Sequence, residues 1–421
     1  MQQIYTFLIL CYGLSIRVAS LFNKKAALWV KGRKNSLAQV EKTFSESPFN
    51  TPGRKLAWFH CASLGEFEQG RPILENFKQQ QPDYLILLTF FSPSGYEVRR
   101  AYSEADCVLY LPLDIPRNVS RFVSAVKPDI VFWVKYEYWY NFLSYLHQKQ
   151  IPVILVSALF RTKQHFFKPY GKWARNILRG FTKVFVQNDF SKSLLGSVGI
   201  TNAEVSGDTR FDRVATVASS PANIEIAKAF ASDHTVMVAG STWPADEELI
   251  FRFMAINQHT FRLIIAPHEI HPAHIQSLLL KAGGKAVQFS KTNAAEAANA
   301  EILIIDSIGM LSQLYQYGTL AYIGGGFGVG IHNILEAAAF GLPVFFGPNY
   351  QKFMEAKDLI GLKGAFAVKS AEELTLLTND LFSDSKILSD TSSVCKQFVS
   401  SGCGATSLIL NYVNGIIASG K

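Results

Sequence analysis

A chain of 421 residues with 48% hydrophobic and 18% charged positions is globular rather than disordered, and is long enough for two domains of ordinary size. The formal charge of +8 points to an anionic partner, such as a phosphorylated ligand or a bilayer surface, while no long basic block or nucleic-acid motif supports DNA or RNA binding. Five scattered cysteines, odd in number and without metal-ligand spacing, argue against a disulfide framework and for a reducing compartment.

The first apolar stretch is Gln3–Phe22, interrupted by Arg17 and followed by Lys24, Lys25, Lys31, Arg33 and Lys34. A bilayer span needs about twenty apolar residues. Arg17 makes a full span marginal, and a signal peptide lacks its basic leader and cleavage site. The stretch therefore reads as an uncleaved membrane anchor or an interfacial helix, with a buried first helix as the alternative. Apolar runs at Leu56–His60, Tyr84–Thr89, Val108–Leu111, Ile130–Val134, Val153–Val156 and Val184–Gln187 are strand candidates, separated by helical or turn segments such as Glu66–Lys78. The pattern loosens over Gly207–Pro221, the expected domain junction. It resumes with strands at Thr235–Ala239, Arg262–Ala266, Lys285–Phe289, Glu301–Ile305 and Thr319–Ile323, with Lys291–Ala300 read as a surface loop. Repeated β-α alternation predicts α/β architecture: two doubly wound, Rossmann-like parallel-sheet domains with a cleft between them. The expected boundaries are 1–22, 23–213 and 214–421, with the last helical segment, Ser407–Ile417, able to cross back.

Leu320–Pro348 reads as strand, glycine loop, helix and strand. Gly324, Gly325 and Gly326 are followed by an expected helix over His332–Phe340. Such a loop lets a ligand approach the backbone, and a helix start behind it suits a phosphate. Asn333-x-x-Glu336 at that start is a capping pair, and Glu336 is also placed to bond ribose hydroxyls. Ser63-x-x-Glu66, after a strand, reads first as a capping box and alternatively as a carboxylate able to take a proton from an acceptor hydroxyl. Glu137 lies at a second strand end. Arg210, in GDTRFD, either stabilises an anion or pairs with Asp208 or Asp212. Pro267-His268-Glu269 and Ile308-Gly309-Met310 are loops that could wall a nucleotide. The three histidines at 268, 271 and 274 match no metal spacing.

Taken in order, WFHCASLGE (58–66), LTFFSPSGYEVRR (88–100), YLPLDIPRNVSRFV (110–123), EYWYN (137–141), GDTRFD (207–212), AGSTWPADEE (239–248), DSIGMLSQLY (306–315) and GGGFGVGIHNILEAAAFGLPVFFGP (324–348) resemble the 3-deoxy-D-manno-octulosonic acid (Kdo) transferases of lipopolysaccharide synthesis. The resemblance implies a GT-B glycosyltransferase on the cytoplasmic face of the inner membrane. It would move Kdo from the donor substrate CMP-Kdo to a lipid A precursor, inverting the anomeric centre, with neither metal nor cofactor. Glu66 then matches the catalytic base, and Glu137 and Arg210 match positions supporting the transition state, Arg210 standing where Lys is usual. His268, Glu269, Ile308, Gly309, Met310, Asn333, Ile334, Leu335 and Glu336 match CMP-binding positions. The chain departs from the family pattern at Lys135, Tyr140, Trp243 (where His is common), the Pro267-His268-Glu269-Ile270 loop, and Ile331 before His332. A GT-B transferase using another nucleotide sugar, or a non-catalytic membrane-tethered binding protein, are the alternative readings.

Overall fold

The computed structural model describes residues 1–419; the last two positions of the expected 214–421 domain lie outside the described residues. The chain forms two compact units, residues 1–212 joined by the C-terminal segment from Cys403, and Arg213–Gly402.

The first unit is built on seven parallel strands: β1 (Lys55–Cys61), β2 (Tyr84–Phe90), β3 (Cys107–Tyr110), β4 (Ile130–Val134), β5 (Val153–Ala158), β6 (Lys183–Val186) and β7 (Ala203–Val205), in the order β3-β2-β1-β4-β5-β6-β7. Helices on both faces bury these strands, so they read as continuous apolar runs rather than alternating ones. β4, IVFWV, is buried at every position. The order reverses between β1 and β4, where ligands of open α/β sheets bind at the strands' carboxyl ends. The helix Ala405–Ala418 packs Ile409, Leu410 and Val413 into the same core as Phe59, Phe77 and Phe132. The Asp212 carboxylate caps that helix by accepting the Gly404 and Thr406 amides at 2.6 and 2.7 Å.

The N-terminal helix Gln2–Ala19 is docked on this unit by polar contacts along one face. Tyr5 Oη donates to the buried Asp114 at 2.7 Å, and Gly13 lies so close to Leu113 that an added Cβ would sit 2.9 Å from it. Its other face exposes Ile4, Phe7, Leu8, Leu14 and Val18, and Leu21 and Phe22 beyond it are also exposed. Among the described residues no helix is long and apolar enough to cross a membrane.

The second unit has seven parallel strands: β8 (Val236–Thr242), β9 (Arg262–Pro267), β10 (Ala286–Gln288), β11 (Ile302–Ile304), β12 (Leu320–Ile323), β13 (Val344–Phe346) and β14 (Ala365–Ala367), in the order β10-β11-β9-β8-β12-β13-β14. Its order turns at β8 and β12. Near the carboxyl end of β8 the register with β9 slips, and Ser241 takes φ +54°. Two doubly wound parallel sheets of this type make the fold α/β and GT-B-like.

Several elements differ from the expectation. The supposed loosened junction contains a helix, Thr209–Ser219, whose start is fixed by Asp208 accepting the Arg210 amide at 3.0 Å. The expected loop 291–300 holds a helical turn, Ala294–Ala297, closed by a capping box between Asn293 and Glu296. The helix expected from His332 begins only at Leu335 and ends at Ala339, because the chain from 324 to 334 stays in turns. β7 and β14 went unseen: AEV and AFA are three-residue runs without a pattern.

Candidate active site

In the first unit the carboxyl end of β1 turns at Ala62 and Ser63 into the helix Leu64–Gln80. Ser63 Oγ accepts the Glu66 amide at 3.4 Å, and Glu66 Oε2 accepts the Ala62 amide at 2.6 Å. The Ser-x-x-Glu motif thus does cap the helix, but Glu66 reaches one residue further back than a standard capping box, to Ala62 rather than Ser63. Burial pushes the Glu66 carboxyl up to about 7, opposed by the Ala62 amide and the Lys135 charge. β4 ends at Val134, and Lys135 just after it, held at φ +66°, leads to Glu137, which burial and the neighbouring Glu66 charge push up to about 7 as well. The backbone carbonyl of Glu137 accepts the buried Trp133 indole N–H, fixing the loop. The two predicted carboxylates therefore meet beside the reversal point of the sheet, each poised near neutral pH.

Arg210 takes one of the two pairings the sequence left open. Its Nε and Nη2 lie 2.9 and 2.8 Å from Asp208, while Asp212 caps the C-terminal helix instead. Asp208, 8% exposed, is also approached by Gln69 Nε2 at 3.2 Å. The Arg210 charge holds its carboxyl below the usual range despite burial. The Tyr136 phenol feels Arg161, Asp208, Glu66 and Arg210, so Arg210 and Glu66 share one electrostatic neighbourhood.

In the second unit the carboxyl ends of β8, β9 and β12 carry Trp243, His268 and the glycine loop. The Trp243 and His268 rings stack at 4.6 Å, His268 and His332 lie 4.6 Å apart, and Trp243 Nε1 donates to His332 Nε2 at 3.3 Å. Asp246, fully buried, ties the group together: it accepts the Trp243 amide, the Gly325 amide and the Tyr322 hydroxyl at 2.9, 2.9 and 3.0 Å.

This changes the reason for the glycines. A Cβ at Gly324 would lie 2.2 Å from the Ser241 carbonyl oxygen, and one at Gly326 would lie 2.5 Å from the Gly347 nitrogen. The loop is pressed against protein backbone, and the Gly324 and Gly325 amides already donate, to the Gly240 carbonyl and to Asp246. Gly325 holds φ +91°, which favours glycine. The five-residue helix behind the loop is too short to present a strong dipole end.

The remaining expected positions divide. Asn333 accepts the Leu335 amide and donates to Glu336 at 3.1 Å, but the N-cap is Ile334 and no side chain caps the helix, so the expected capping pair is not formed. Ile334 and Leu335 are core side chains, leaving only their backbone for a ligand. Glu269 is exposed, 3.7 Å from His271 Nε2. Gly309 takes φ +95° beside the exposed Ile308, and Met310 Sδ accepts from Ser307. Among the described residues no hydrogen bond or ring contact joins 308–310 to the Trp243 group. Nor do three or more His, Cys, Asp or Glu side chains among the described residues cluster to hold a metal ion. Sequence reasoning passed over Asp246, whose Trp-Pro-Ala-Asp spacing is a capping signal, and Tyr322 and His332, whose partners are remote in sequence.

Residues 35–213 match the family model described as 3-Deoxy-D-manno-octulosonic-acid transferase (kdotransferase). A 3-deoxy-D-manno-octulosonic acid transferase of Aquifex aeolicus is 30% identical over 337 residues, covering 78% of this chain and 86% of that protein. The enzyme of the same name from Rickettsia felis is 27% identical, covering 76% and 70%. Among solved structures, UDP-GlcNAc 2-epimerase from Neisseria meningitidis, bound to UDP-GlcNAc, aligns over 86% of this chain and 99% of its own, with TM-score 0.60 and 15% identity, a likeness of fold alone. With 30% identity across most of both chains, this protein belongs to the 3-deoxy-D-manno-octulosonic acid transferase family.

Proposed function

We propose that the protein transfers Kdo from CMP-Kdo to a lipid A precursor, with inversion, using Glu66 as general base and no metal. The observation that carries this reading is the Glu66 carboxyl at the carboxyl end of β1, pushed up to about 7 and anchored on the Ala62 amide. An acceptor hydroxyl gives its proton to Glu66 as its oxygen attacks the anomeric carbon. The bond from that carbon to the phosphate oxygen breaks, and CMP leaves with the electron pair. A base with a pKa near the working pH combines a large ionised fraction with useful basicity. Glu137 keeps its charge linked to that of Glu66, and Arg210, oriented by Asp208, supplies positive charge to the developing anion. The Trp243–His268–His332 group, seated beside the loop 324–326, holds the nucleotide, with backbone contacts from 269, 308–310 and 333–336. The exposed apolar face of Gln2–Ala19, followed by Lys24, Lys25, Lys31 and Lys34, supports a helix lying in the cytoplasmic surface of the inner membrane, where the acceptor resides.

Purified protein is incubated with CMP-Kdo and a tetra-acylated lipid A precursor, with and without chelator, beside Glu66→Gln. A Kdo-bearing lipid from wild type alone, insensitive to chelator, is the expected result. CMP binding without any product sinks the acceptor assignment, and product formation by Glu66→Gln at the wild-type rate sinks the base.

A further inference from the structure

The neighbour of His332 dictates its tautomer. Trp243 Nε1 lies 3.3 Å from His332 Nε2, and an indole nitrogen only donates. Nε2 of His332 must therefore carry the lone pair, which leaves the ring proton on Nδ1. A protonated ring would set N–H against N–H. Burial and the adjacent His268 likewise hold the His332 imidazole below its ordinary pKa. His268 lies 4.6 Å from the His332 ring and stacks on Trp243, and the His332 amide donates to the Gly324 carbonyl at 3.1 Å, which holds its backbone. Nδ1–H then has no acceptor among the described residues. It is an oriented donor at the carboxyl ends of β8 and β12, in a loop whose Gly324 and Gly325 amides are already taken.

We propose that Trp243 is a positioning residue that fixes His332 as the Nδ1–H tautomer, and that His332 donates this hydrogen to a phosphoryl oxygen of the nucleotide-sugar donor. The inference rests on the donor assignment above and adds to it the group that replaces the occupied loop amides. A bond from a neutral N–H to an anionic oxygen is charge-assisted and directional, so it rewards a preset tautomer. A histidine at 243 could donate or accept; an indole leaves no choice.

The test titrates CMP, and cytidine at high concentration, into wild type, His332→Asn, His332→Gln and Trp243→Phe. Melting without ligand checks that each variant is folded. An Asn side chain can place an N–H near the Nδ1 position, whereas Gln reaches toward Nε2. The expected pattern is CMP binding weakened roughly 10- to 100-fold by His332→Gln, partly recovered in His332→Asn, with cytidine unchanged in both. Trp243→Phe keeps the ring stack and loses the N–H. It should weaken CMP by roughly 3- to 10-fold and raise KM for CMP-Kdo more than it lowers kcat. Equal losses for CMP and cytidine, or Gln matching Asn, overturn the inference while leaving the donor assignment standing. Intact CMP binding in His332→Gln with weaker CMP-Kdo binding moves the bond to the sugar carboxylate and overturns it too. Failure of wild type to bind CMP removes the donor assignment and this inference with it.

Discussion

The two sheets place an acidic residue at the same point of the same motif and treat it in opposite ways. Glu66 and Asp246 each sit three residues past a helix N-cap, after the strand beside which the sheet order reverses, and each reaches back to a backbone amide. Asp246 is fully buried and accepts three donors, with Tyr322 on one oxygen and Trp243 and Gly325 on the other. Glu66 holds the Ala62 amide on Oε2, feels the Ser63 and Tyr136 amides and the Lys135 charge, has a second carboxylate nearby, and is nonetheless poised near 7 by burial. A carboxylate tied to partners on both oxygens organises a loop; one raised to near neutral beside a like charge is able to exchange a proton. The scaffold is shared and the chemistry is local.

Substitution at the two positions should separate these roles. Glu66→Gln keeps an oxygen for the Ala62 amide and removes the proposed base, so kcat should fall by about 10²–10⁴ while CMP affinity holds. Steady-state rates beside CMP titrations decide it; a parallel loss of CMP affinity means that Glu66 organises rather than reacts. Asp246→Ala should do the reverse. It strands the Gly325 amide and the Tyr322 hydroxyl in a buried site, costing about 2–4 kcal/mol in denaturant unfolding and weakening CMP binding. A stability change below about 1 kcal/mol would remove Asp246 from the centre of that network.

How much of this was readable beforehand follows from the distances along the chain. Ile130–Val134 and Leu320–Ile323 announced themselves because a strand buried on both faces must be an unbroken apolar run. Ser63-x-x-Glu66 was visible because capping acts within one turn. Asp246, by contrast, meets Tyr322 and Gly325 across 76 and 79 positions, and Trp243 meets His332 across 89. Nothing local encodes such pairings; they exist only once β8 and β12 lie side by side. The glycine loop misled for a related reason. Its residues are small because of Ser241 and Gly347, which sequence reading had no cause to place beside it.

That explanation of the loop can be broken by two alanines four positions apart. Gly324→Ala drives a Cβ to 2.2 Å from the Ser241 carbonyl, a backbone atom at a bulge with little room to retreat. About 1–3 kcal/mol of stability should be lost. At Gly328 the nearest atom to a new Cβ is the Gly325 oxygen at 3.7 Å, ordinary contact. Thermal unfolding of Gly328→Ala should stay within about 0.5 kcal/mol of wild type. If both alanines are tolerated yet both impair CMP binding, the glycines serve a ligand after all.

The smallest expected effect is also the sharpest test of the Glu66 environment. Because burial raises its carboxyl from 4.5 to about 7, the folded protein holds a proton there that the unfolded chain releases. That contribution favours folding below the unfolded value and is lost as pH climbs through about 7. Above this, an ionised Glu66 destabilises the fold, by on the order of 1 kcal/mol once solvent screening is allowed for. Glu66→Gln lacks the titration. The variant should therefore melt close to wild type at pH 5 and a few degrees above it at pH 8. The rate has the opposite sign: kcat/KM of wild type should rise about tenfold per pH unit on approach to 7 and then level, since only the ionised carboxylate accepts the proton. A wild type that loses no stability relative to the variant as Glu66 ionises would mean that water reaches the carboxylate freely, and the contrast with the fully buried Asp246 would then lie in burial as well as in hydrogen bonding.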